Sequence, residues 1–165
     1  MRALVRSEVE VAASARAVWD YVTDWPRQGE WIPLTRVEPV GAPSARVRQV
    51  GGRIRAWTGV GPVGFWDTMT ITGWDESWLP DGGGSAVCEV LHTGRVVRGD
   101  GEFAVHGVGP AACTFVWWER LDVPGGRVGW WAWRLGGWTM SVGVDRALAG
   151  LARRAAVQSG AGGGP

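Results

Sequence analysis

The chain has 165 residues, 17 Lys+Arg against 16 Asp+Glu, and a hydrophobic content of 45%. This length fits one domain with a sizeable core, and the balanced charge excludes the basic excess expected of a nucleic-acid binder. Every cation is Arg, so a Schiff-base lysine and a Walker A motif are excluded as well.

The N-terminus, MRALVRSEVEVAA, alternates apolar and charged residues and has no apolar core of a signal peptide. No apolar run approaches the roughly 20 residues of a membrane-spanning helix. A cytoplasmic protein without integral membrane association is expected, with Cys88 and Cys113 as reduced core thiols. The two Cys and two His lie at no ligand spacing, so no metal is expected.

Leu4 to Val11 reads as a strand with Val5, Ser7, Val9 and Val11 on one side and Arg6, Glu8 and Glu10 on the other. Ser14 suits a helix N-cap, and Val18, Trp19 and Val22 share one helical face. Pro26 interrupts that helix; Arg27 to Trp31 suits a second short one, ended by Pro33. Trp19, Trp25 and Trp31 are expected to clamp this pair to the rest of the fold.

From Arg36 to Asp122 the signal is β. Arg36 to Val40 is a strand, Gly41 to Ser44 a turn, and Val47 to Val60 covers one or two strands. Gly59-Val60-Gly61-Pro62-Val63-Gly64 has the spacing of a dinucleotide loop, but it joins two strands and contains Pro, so it reads as a hairpin turn. Phe65 to Asp75 is a strand and Leu79 to Ser85 a loop with nothing to order it. Ala86 to Thr93, Gly99 to His106 and Ala111 to Asp122 complete a meander.

From about Trp130 to Val157 the period becomes helical, with Trp131, Leu135, Trp138 and Val142 on one stripe. Ser159 to Pro165 reads as a disordered tail, leaving residues 1–158 as a single domain. The resulting class is α+β: a curved antiparallel sheet of about seven strands, two short helices after the first strand, and one long C-terminal helix to cover the buried face.

Strand parity selects the groups on that face. Asp67 shares a side with Phe65, Met69 and Ile71; His92 shares one with Cys88 and Val90; Phe103 pairs with Val105; Glu119 shares one with Phe115 and Trp117. Asp67, His92 and Glu119 are the polar groups expected on the concave side, with Arg134 on the helix facing them. A carboxyl desolvated beside a His suits acid–base chemistry, and Arg134 suits a ligand carboxylate or enolate. The alternative is that these groups lie at the sheet rim and pair with Arg53, Arg55 or Arg95.

The opening VEVAASARAVWDYVTDW, the segment ending Trp31-Ile32-Pro33, GVGPVGFWDTMTITGWD, HTGRVVRGDGEFAVHGVG and TFVWWERLDVP resemble the helix-grip superfamily over roughly residues 4–157. That group includes START domains, the birch-pollen allergen family and aromatic polyketide cyclase/dehydrases; this chain is most similar to the bacterial polyketide cyclase/dehydrase and lipid transport type. The resemblance implies a cavity for a hydrophobic small molecule, with only some members acting as enzymes.

Two expectations follow for the pocket. Met69, Ile71, Val90, Phe103, Phe115, Trp117, Trp131 and Trp138 are expected to line it; alternatively, with 13 Trp in the chain, the rings fill it. Three functions remain open: a carrier of a polyketide-, aromatic- or lipid-like molecule, a cyclase/dehydrase working without any cofactor, and a Trp-rich interaction module with its rings outside. A monomer or homodimer is expected.

Overall fold

The computed structural model describes residues 2–81, 83–122, 143 and 145–153. Its strands are β1 (Arg2–Val11), β2 (Thr35–Pro39), β3 (Arg53–Val60), β4 (Val63–Trp78), β5 (Gly84–Thr93), β6 (Arg98–Gly109) and β7 (Ala112–Asp122). They form one antiparallel sheet in the order β1-β7-β6-β5-β4-β3-β2. The chain thus meanders from β2 to β7, and β1 takes the far edge.

That order forces the connection from β1 to β2 to cross the sheet. It does so through helix α1 (Ala15–Val22) and a 3-10 helix (Trp25–Glu30). Ser14 caps α1 by accepting a hydrogen bond from the Ala17 amide. The pair lies over one end of the concave face, where Val18, Trp19, Val22 and Trp25 are fully buried and Trp31 nearly so. Trp19 and Trp25 stack against Trp74, with centroids at 5.1 and 6.4 Å. The clamp expected of these tryptophans is therefore present.

Residues 145–153 are helical and also pack on the concave side. Ala147, Leu148 and Leu151 join the core, Asp145 meets the Ser7 hydroxyl on β1, and Gly150 lies against the Trp31 backbone. The expected first half of this helix and the tail 159–165 lie outside the described residues. Cys88 and Cys113 are free and buried, and burial pushes their thiols up to about 12 and about 11. No helix among the described residues is long and apolar enough to cross a membrane.

Between Val47 and Val60 lies one strand, within the one or two expected; a short helix, α2 (Ser44–Val47), precedes it after Pro43. Two local readings need correction. The loop after β4 does have groups that tie it: Gly83 donates to Asp81 Oδ1, and Leu79 donates back to the Gly83 carbonyl. Strand β4 runs on to Trp78, with a register shift between Ile71 and Gly73. Such a bulge reverses parity. Up to Ile71 the odd positions face inward; beyond it Trp74, Glu76 and Trp78 stand opposite Cys88, Ala86 and Gly84 on the same concave side.

The bulge creates a clamp. Glu76 accepts hydrogen bonds from the indoles of Trp19 (3.0 Å), Trp74 (3.0 Å) and Trp78 (2.8 Å), tying α1 to β4. Arg16 and Arg48 lie over Trp78 and Trp74 and both reach Asp20. Burial alone would raise the Glu76 carboxyl, but the indole N–H groups outweigh it and hold it below the usual carboxylate range. On the opposite face Trp57 and Trp66 pair at 5.5 Å beneath Arg55.

Glu76→Ala leaves the buried Trp19 N–H without its acceptor and is expected to destabilise the fold by about 1–3 kcal/mol, read as a shift in denaturant midpoint. Because the folded value lies below the unfolded one, the wild-type advantage over Glu76→Gln is present at neutral pH and disappears as the pH falls through the carboxylate range. A difference independent of pH contradicts the clamp.

Candidate functional site

Asp67 on β4, His92 on β5 and Glu119 on β7 meet on the concave face, with 7%, 6% and 6% of their surface exposed. His92 Nδ1 lies 2.7 Å from Asp67 Oδ2, and Nε2 lies 2.7 Å from Glu119 Oε2. The expectation that these groups share one side is met, and they converge on a single imidazole. The rim alternative is not what forms: Arg55 pairs with Glu38 at 2.7 Å, and no arginine among the described residues reaches either carboxylate.

The geometry depends on a missing side chain. Strand β6 separates β5 from β7, and its Gly101 stands between Val90 and Glu119. A Cβ on Gly101 would come within 2.6 Å of Glu119 Oε2. Because that space is empty, Glu119 lies across β6 and meets His92 from two strands away. Trp117, on the same face of β7, donates from Nε1 to Glu119 Oε1 at 2.8 Å and fixes the other oxygen.

The two contacts differ in kind. His92 and Asp67 have hydrogen-bond geometry. The Glu119 contact is equally short but badly aligned, so Nε2 and Oε2 have no directed hydrogen-bond partner; we treat it as an ion pair. Asp67 Oδ1 is buried without a partner among the described residues, beside Gly94, where a Cβ would come within 3.2 Å of it.

Burial by itself would favour neutral imidazole, but the hydrogen bond that Nδ1 donates to Asp67 and the pairing with Glu119 override it and push the His92 pKa up to about 10. His92 is thus an imidazolium at neutral pH, clamped by two carboxylates. The carboxylates sit on opposite ring nitrogens and do not aim at one point. No His/Cys/Asp/Glu group among the described residues is placed to hold a metal ion.

The apolar candidates separate into two sets. Ile71 and Phe115 are fully buried and Val90 and Phe103 nearly so, all within the core cluster. Phe103 and Phe115 pack edge-on against Trp31 at 6.3 and 6.0 Å, so these rings are core material at the closed end. Met69 and Trp117 are only half-buried. Met69 stands opposite His92 across β4 and β5, and Trp117 touches Glu119, so this pair adjoins the triad; Trp117 also packs edge-on against Trp31 and Phe103, at 6.0 and 5.2 Å, and so joins the triad to those core rings. Arg134, Trp131 and Trp138 lie outside the described residues.

Two functional positions escaped the sequence reading. Gly101 carries a signal, since a glycine inside a strand marks close approach of another group. Glu76 carries one too: Trp74, Glu76 and Trp78 at alternate positions place a carboxylate between two indoles, but only once the bulge turns them inward.

No protein-family model and no curated relative matches the chain. Solved structures do. The Zhui aromatase/cyclase of a Streptomyces species superposes with TM-score 0.73 at 17% identity, over 100% of both chains. A START superfamily protein of Mycobacterium smegmatis gives 0.58 at 18% identity over 92% of this chain and 97% of its own. The human StarD13 lipid transfer and protein localization domain gives 0.58 at 17% over 90% and 76%. At these identities the likeness establishes the fold alone: the curved antiparallel sheet with helices on its concave face is the helix-grip architecture that these structures share.

His92→Ala strands two buried carboxylates and is expected to cost about 3–5 kcal/mol, whereas Asp67→Asn or Glu119→Gln each leave one ion pair and should cost less. In the wild type the contribution of His92 is complete below its unfolded value of 6.5 and is lost as the pH rises through about 10. Denaturant midpoints across pH check both the order and the window. In Gly101→Ala the displaced Glu119 should move that loss to lower pH.

Proposed function

We propose that the protein binds a hydrophobic small molecule of polyketide, aromatic or lipid character between the concave face and the C-terminal helix, with the Asp67–His92–Glu119 triad as its polar docking point. The observation that carries this reading is the triad itself. Buried charges on an apolar face are a weak source of stability, since well-packed hydrophobic residues in their place are often as stable or more so. These three adjoin the half-buried Met69 and Trp117, and Asp67 Oδ1 still lacks a partner among the described residues. Small-molecule sites have this composition: apolar walls with a few convergent polar groups.

The same triad favours a second reading, a cyclase/dehydrase that needs no cofactor. A carboxylate accepts the proton from a carbon flanked by ketones, and the imidazolium beside it stabilises the enolate that forms. In dehydration the imidazolium supplies the proton on which a β-hydroxyl leaves as water. The aromatase/cyclase among the structural neighbours supports this chemistry as a possibility of the fold.

Native mass spectrometry tests the first reading. A small apolar molecule is expected to co-purify under gentle conditions and to be lost on denaturation. A bare protein that takes up no fatty acid, flavonoid or polycyclic aromatic refutes it. Trp117→Ala and Met69→Ala should each weaken binding by about tenfold, equivalent to 1.4 kcal/mol. With an aromatic poly-β-ketone as substrate, loss of turnover in Asp67→Asn and Glu119→Gln with binding retained supports the second reading. Unchanged turnover and binding in both remove the triad from function.

A further inference from the structure

We infer that the polar end of the ligand is a hydrogen-bond donor, a phenol, enol or other neutral hydroxyl, and that the site discriminates against carboxylates and phosphates. This rests on the ligand-binding reading above and names the class of molecule that its polar docking point accepts.

Both N–H groups of His92 face carboxylates: Nδ1 is bonded to Asp67 Oδ2, and Nε2 is in contact with Glu119 Oε2 without alignment, so neither of those two atoms has a directed partner. Trp117 Nε1 is committed to Glu119 Oε1. Asp67 Oδ1, an acceptor only, is buried with no partner among the described residues. A charged oxygen left so is costly unless something donates to it.

The triad sets one imidazolium between two carboxylates, and no other cation among the described residues reaches it. An anionic headgroup entering here meets a net negative cluster where water is largely excluded and repulsion is weakly screened. A hydroxyl meets open lone pairs instead.

Glycine lets each carboxylate lie close against the backbone beside it: Gly94 at Asp67 Oδ1 and Gly101 at Glu119. At each position a Cβ would crowd the carboxylate oxygen, at 3.2 and 2.6 Å. A hydroxyl at the end of a flat aromatic molecule would approach the triad along the neighbouring Trp117 ring.

Isothermal titration calorimetry of the full chain at neutral pH, with a naphthol, its methyl ether and the matching naphthoate, separates the contributions of shape, donation and charge. The naphthol is expected to bind about tenfold or more tightly than either of the others. The Asp67→Asn variant should narrow the gap between naphthol and naphthoate. Equal affinity for the methyl ether overturns donation. Naphthoate binding as tightly as the naphthol overturns the discrimination. Binding of none of the three overturns the ligand-binding reading, and this inference with it. The wild-type ratios decide the matter without relying on the variant.

Discussion

His92 keeps its charge inside an apolar face because Asp67 and Glu119 sit 2.7 Å from its two ring nitrogens, and both approaches depend on the sheet around them. Asp67 comes from β4 and Glu119 from β7, with β5 and β6 between them in the sheet. A side chain on β6 at the crossing point would separate the imidazole from Glu119, and the residue there is Gly101. The register of two strand pairs, one glycine and the inward parity of β4, β5 and β7 thus have to agree for the charge to be held. Desolvation opposes the imidazolium; two carboxylates in contact outweigh it.

The concave face is divided between two tasks. At one end α1 and the 3-10 helix close the sheet, because a chain whose first strand lies at one edge and second at the other must cross it. Trp19, Trp25 and Trp31 fill that end, and Glu76 draws α1 to the sheet through three indole N–H groups. Beside that packing lie the triad and the half-buried Met69 and Trp117, with Trp117 edge-on against Trp31 at 6.0 Å. One carboxylate therefore works as a structural tie, with each partner a neutral donor. The others balance a cation and retain free acceptors. Partner chemistry, rather than burial alone, distinguishes the two.

Much of this was legible from residue order because strands of alternating polarity reveal which side chains share a face. That parity put Asp67, His92 and Glu119 together and put Glu89 in water, and Glu89 is exposed. Parity does not reveal lateral distance, so the sequence could not choose between a shared imidazole and separate rim pairs with Arg53, Arg55 or Arg95. Nor does it survive a bulge: the register shift after Ile71, marked in the sequence only by Gly73 inside the strand, brought Trp74, Glu76 and Trp78 inward. Parity along a strand also says nothing of Trp31, which follows the 3-10 helix, far away in sequence, and packs edge-on against Phe115. The order of β and α segments, by contrast, specified the helix-grip architecture fully enough for the family resemblance and the observed sheet to agree.

The account rests on an imidazole that is charged where its surroundings alone would make it neutral. Nitrogen-detected NMR of the His92 ring tests this most directly, with the ring shifts followed as a function of pH. The account predicts that both nitrogens stay protonated through the neutral range and that the proton is lost near about 10. A His92 ring found as a single neutral tautomer at neutral pH would contradict it, and with it the description of the site as a cation clamped between two carboxylates.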